Sequence, residues 1–164
     1  MSVSADTLRL HLDYHAWASR RLLDAVAQLT PEEQSRDFKT SDSSALNTLA
    51  HVFAADRLWL ARMFGESPTK LLDPRDRELG VLTKDWPVVQ QRWKDWAAPL
   101  SDSDFQAKIS YRDTRGNPWE QPLWQILLHV VNHGTHHRGQ VSGFLRAMGH
   151  QPPPLDLIAF YRTR

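Results

Sequence analysis

The feature that most constrains this chain is the stretch from Leu123 to Met148, LWQILLHVVNHGTHHRGQVSGFLRAM, which carries four of the eight histidines. Its periodicity predicts one long helix. With His129 at zero and about 100° per residue, Leu123, Ile126, Val130, Val141, Phe144 and Met148 fall between about 60° and 120°. That is a single apolar face. His133 at about 40° and His137 at about 80° lie inside it, while His129 and His136 sit on its polar border. Two imidazoles one turn apart on a core-facing stripe are costly unless each ring nitrogen finds a partner. They can be hydrogen-bonded core histidines. The i,i+4 spacing also stacks both rings where one cation can bridge them, and the pairing favours a metal.

The other amphipathic segments supply the remaining walls. Ser4 caps a helix reaching about Leu29, and His15 lies within its apolar face, as a core histidine or a lining residue. Thr30-Pro31-Glu32-Glu33 starts a polar connection. Ser44 or its neighbour caps a second helix running to about Phe64 and closed by Gly65, with Val52, Ala55, Trp59 and Met63 inward. His51 falls at the margin of that face and Asp56 within it. An inward carboxylate needs a partner, either an imidazole it orients or an arginine.

Residues 66–82 are prolyl, charged and weakly periodic, which predicts a loop. A third helix is expected from about Lys84 to Ala98, with Pro87 in its first turn, where proline is tolerated. Phe105 to Tyr111 alternates and Gly116-Asn117 follows, so a short hairpin is expected to lead straight into the long helix. After Gly149, Pro152-Pro153-Pro154 enforces extended chain, and the apolar Leu155, Leu157, Ile158, Phe160 and Tyr161 should pack back. The expected fold is all-α: a single domain over residues 1–164, built as an antiparallel four-helix bundle with a hairpin before its last long helix.

Composition narrows the function. A formal net charge of +1 gives no electrostatic case for nucleic acid or an anionic membrane. The absence of cysteine excludes disulfides, thiolate ligands and a cysteine nucleophile, leaving water, a hydroxyl or a thiol brought by a partner molecule. The first residues lack the apolar run of a signal peptide and no segment approaches membrane-spanning length, so a cytoplasmic protein is expected. Gly134 follows His133 where an HExxH enzyme has its glutamate, which speaks against metalloprotease chemistry.

The segments TLAHVFAADRLWLARMFG (Thr48 to Gly65) and LLHVVNHGTHHRGQVSGFLRAMG (Leu127 to Gly149), with YHAWAS in the first helix and the closing PPPLDLIAFYR, resemble the DinB-like (DinB/YfiT-like) family. The resemblance implies a bundle holding one divalent metal, nickel, zinc or iron, through three histidines that match His51, His133 and His137. It further implies a homodimer and activities such as thiol-dependent transfer with glutathione, mycothiol or bacillithiol, or maleylpyruvate isomerisation. Three neutral imidazoles leave an ion with open positions, the layout of a catalytic rather than a structural site. The expectation is a metal-dependent enzyme, a thiol-dependent S-transferase on small electrophiles rather than a hydrolase. The alternative is a metal-binding or stress-response protein without turnover. His15, Asp56 and Gln140 are candidates for the surrounding shell. His129 and His136 are expected to meet solvent, a dimer partner or a phosphate-bearing ligand, and Arg138 to form a salt bridge or interface contact.

Overall fold

The computed structural model describes residues 3–163. It is mostly helical. Four long helices, α1 (Ala5–Ala27), α3 (Ala45–Met63), α4 (Leu79–Ala97) and α6 (Leu123–Ala147), are accompanied by the short α2 (Pro31–Ser35), α5 (Asp102–Gln106) and α7 (Leu157–Tyr161). The strands β1 (Lys108–Arg112) and β2 (Pro118–Pro122) form a two-stranded antiparallel sheet. The main helix pairings are α1 with α4 and α6, and α3 with α4 and α6. Leu8, Leu22, Leu49, Phe53, Leu82, Trp86, Leu127 and Leu145 fill the space between them at 2% exposure or less. Among the described residues no helix is long and apolar enough to cross a membrane.

The helix starts follow local chemistry. Ser4 Oγ accepts from Thr7 N and Ser44 Oγ from Asn47 N, so both expected caps are present. The Thr30 connection is itself helical. Thr30 and Glu33 form a reciprocal capping box around α2, with Pro31 at its first position.

The third long helix departs from its expected start. It begins at Leu79, so Pro87 lies in its interior and forfeits one backbone hydrogen bond. Tertiary burial overrides the local signal here. Leu82 and Trp86 are sealed in the core, and the 3-10 turn Pro74–Arg77 leading into the helix is pinned by Asp76, which accepts both guanidinium arms of Arg57 at 2.7 Å. Phe105 also differs from expectation. It is not in a strand but fully buried in α5, whose Ser101–Asp104 capping box turns the chain before Lys108.

The hairpin pairs Lys108 with Pro122 and Tyr111 with Trp119. Its turn is organised by the Asp113 carboxylate, which accepts from the backbone N–H groups of Arg115 and Asn117 and from Trp119 Nε1. Pro122 passes directly into α6, as expected. Gly149, at φ 87°, ends that helix. The chain then returns to α1, where Phe160 packs 5.8 Å from the Tyr14 ring and Tyr14 Oη donates to the Leu155 carbonyl at 3.0 Å.

Candidate metal centre

α6 presents His133 and His137 one turn apart, and α3 presents His51 across the groove between the two helices. His51 and His133 bring their Nε2 atoms to 3.0 Å. One nitrogen from each of the three rings lies within 4.8 Å of the others, close enough for one ion to reach all three after small side-chain rotations. The ring centroids are 4.5 to 5.0 Å apart.

The surroundings favour the neutral, ligating form of imidazole. Burial, then the adjacent His137 and His51 rings, push the His133 pKa down from 6.5 to about 3. Burial lowers that of His137 as well, against the opposing hydrogen bond to Gln140. His137 Nδ1 donates to Gln140 Oε1 at 2.7 Å, which fixes the tautomer and leaves Nε2 with its lone pair. The Asp42 carboxylate lies 3.8 Å from His51 Nδ1 and 3.9 Å from His137 Nδ1, placing a negative charge beside two of the rings. Neutral nitrogen donors backed by a carboxylate and an amide oxygen are a chemically consistent set for a divalent cation of the zinc, nickel or iron kind.

His15 and Asp56 are brought together, but with each other. His15 Nε2 lies 2.9 Å from Asp56 Oδ2, and its Nδ1 lies 3.0 Å from Arg138 Nη1. A guanidinium only donates, so Nδ1 must accept and Nε2–H must donate to the carboxylate. Both ring nitrogens are thereby used, and His15 has none left for an ion. Asp56 Oδ2 also accepts from Trp86 Nε1 at 2.8 Å. Arg138 is therefore not an exposed interface residue, and among the described residues no carboxylate touches it directly, although the charge of Asp56 acts on it through the His15 ring. Arg138 is 1% exposed and donates to His15, Ser19 and Thr135. The simple helical wheel failed on Arg138 because the side opposite the histidines is covered by α1.

Gly134 has a steric role that the sequence did not reveal. A Cβ there would stand 2.3 Å from His15 Cε1 and 2.7 Å from Arg138 Nη1. His129 and His136 stay outside the three-ring group. His129 stands between the rings of Trp59 (5.4 Å) and His133 (5.8 Å), and His136 is exposed beside His137.

The sequence pattern of the DinB family matches residues 1–164. The chain belongs to the DinB family. It is 22% identical over 153 residues to Protein DinB of Bacillus subtilis (strain 168), a match spanning 88% of this chain and 87% of that protein. It is also similar to the crystal structure of a DinB-like protein from Bacillus cereus ATCC 10987, with a TM-score of 0.69 and 21% identity over 94% of this chain and 99% of the other. That likeness speaks to the fold.

In this DinB-family chain, sequence reasoning missed Asp42. It lies in a polar loop two residues before the Ser44 cap, and no periodicity marks a loop residue as facing a helix groove. The Arg138 network was missed in part. His15 and Asp56 were both recognisable as inward polar groups, and such groups need partners, but the bond between them crosses two helices.

Proposed function

We propose that this DinB-family protein is a metal-dependent enzyme that holds one divalent ion through His51, His133 and His137 and acts as a thiol-dependent S-transferase on small electrophiles. The observation that carries the proposal is the convergence of three imidazoles from two helices, with His137 oriented by Gln140 and Asp42 beside the group. Three protein ligands leave coordination positions for a guest, whereas structural sites are closed by four. The absence of cysteine fits a thiol supplied by a small-molecule partner.

A divalent ion at these rings would supply positive charge that favours deprotonation of a bound thiol, whose free pKa is about 8.5, or of water. The chain's own contribution is preparation. Burial keeps the His133 ring neutral, Gln140 holds the Nδ1 proton of His137, and Asp42 offsets part of the cation's charge. The four long helices are read as the antiparallel bundle of this family, and the protein as a cytoplasmic homodimer.

The test is elemental analysis of protein purified without added metal, followed by turnover assays pairing low-molecular-weight thiols with small electrophiles. One equivalent of metal and thiol-dependent turnover are expected. A metal-loaded protein inert toward every pair would favour the non-catalytic alternative.

A further inference from the structure

One turn of α6 away from His133, toward the hairpin, the surface holds an open cleft of about 220 Å³ lined by Trp59, Tyr111, Gln121, Gln125, Ile126 and His129. Its aromatic walls are ordered against one another, with the Trp59 and Tyr111 rings 5.1 Å apart at 71°. It adjoins the three-histidine group through His129. No protein hydrogen bond occupies the side-chain amides of Gln121 and Gln125 among the described residues.

Behind these walls lies an unusual cation. The Arg62 guanidinium sits 4.3 Å from the Trp59 ring centroid and 4.9 Å from that of Tyr111, on a residue only 5% exposed. Among the described residues its side chain makes no hydrogen bond or ion pair, and its Nε is buried without a partner. Arg138, likewise buried, shares the unpartnered Nε, but its terminal nitrogens donate to His15, Ser19 and Thr135. Stacking on aromatic faces recovers only part of what burying a cation costs. Asp113 is near enough for its charge to be felt at Arg62, but its oxygens are committed to Arg115, Asn117 and Trp119.

An unpaired cation behind aromatic walls, with free amide groups at the rim, suits a ligand that is both flat and anionic. We propose that this cleft binds a small planar carboxylate, an aromatic or conjugated acid. Its flat face lies against the aromatic walls, and its carboxylate is stabilised by the charge of Arg62 and by the glutamine amides. The volume is below the roughly 300–1,000 Å³ of pockets for drug-sized molecules, so the occupant is of about benzoate size. The binding site stands on its own geometry. Its further role, holding the electrophile next to the metal, rests on the function proposed above.

Benzoate is the probe, with benzamide (flat, uncharged) and cyclohexanecarboxylate (charged, not flat) as comparators, each titrated by calorimetry into the full chain with and without metal. Benzoate is expected to bind saturably and about tenfold more tightly than either comparator, a difference of about 1.4 kcal/mol. Arg62→Met keeps most of the stacked stem and removes the charge. It should lower benzoate affinity about tenfold, leaving benzamide binding and metal content unchanged. Gln125→Ala, at an exposed position that folding does not depend on, should weaken benzoate several-fold and decides the matter should Arg62→Met not fold. Absence of saturable benzoate binding, equal affinity for cyclohexanecarboxylate, or benzoate binding unchanged in the variants would each overturn the site. Failure of the wild-type chain to take up metal while benzoate still binds would discard the metal-enzyme reading alone.

Discussion

His15 and Asp56, forty-one positions apart in sequence, meet through a 2.9 Å bond that ties α1 to α3 at sites less than 5% exposed. Arg138 on the far side of the ring and Trp86 on the far side of the carboxylate extend the contact to α6 and α4. One polar chain thus joins all four long helices and sets the face α6 turns toward α3. Most of its polar atoms are satisfied, Asp56 Oδ1 and Arg138 Nε being buried without a hydrogen-bond partner among the described residues.

Asp56→Ala should therefore cost about 3–5 kcal/mol, because it strands the Arg138 charge and the His15 and Trp86 N–H donors in the core. Urea unfolding of the metal-free protein reads this directly. A loss below about 1 kcal/mol, the size of an ordinary surface change, would contradict the network's role.

Gly134→Ala should destabilise by about 1–3 kcal/mol, the range for overpacking a tight core. The new methyl would collide with the His15 ring, which cannot retreat without breaking its bonds to Asp56 and Arg138. At the neighbouring Gly139, where nothing lies within 4 Å, alanine should not destabilise and serves as the paired control in thermal melts.

His137→Ala should abolish stoichiometric metal uptake, since it removes one of the three nitrogen donors that converge among the described residues. Gln140→Leu should leave the ion bound but weaken its affinity about 10–100-fold, the usual cost of losing a group that orients a ligating histidine. Competition with a coloured chelator separates the two effects. Full occupancy in His137→Ala would dismantle the ligand assignment.

Acid should weaken the metal-free fold. The His133 pKa is held at about 3 in the folded protein against 6.5 for the free side chain, so between these values the unfolded chain binds a proton that the folded chain refuses. The stability contributed by neutral His133 is complete above pH 6.5 and is lost as pH falls toward 3, and His137 acts in the same direction. Urea midpoints taken at successive pH values should fall below pH 6.5, and replacing His133 with Asn should flatten that slope. Removal of bound metal by a chelator should lower the melting temperature of the wild-type chain and leave that of His137→Ala unchanged.

Much of this was legible from residue order alone. The 3.6-residue stripe of Leu123 to Met148 determined that the segment is a helix and that His133 and His137 share its inner face, because helical geometry is a local property. Ser4, Ser44 and Gly149 marked their helix ends for the same reason: a cap is satisfied by neighbours a few positions away. The start of α4 was not legible. Its first turn is held by the burial of Leu82 and the Arg57–Asp76 pair, partners supplied by distant chain.

The same division runs through the site. Sequence determined which side chains could bind a cation and which two stand together. Only the tertiary structure brought His51 to within 3.0 Å of His133, set Asp42 beside the cluster, withdrew His15 into a bond with Asp56 and left Arg62 without a counter-charge. Each of those outcomes depends on how one helix is rolled and translated against another. That is fixed by summed packing over many residues, and no short stretch of sequence contains it.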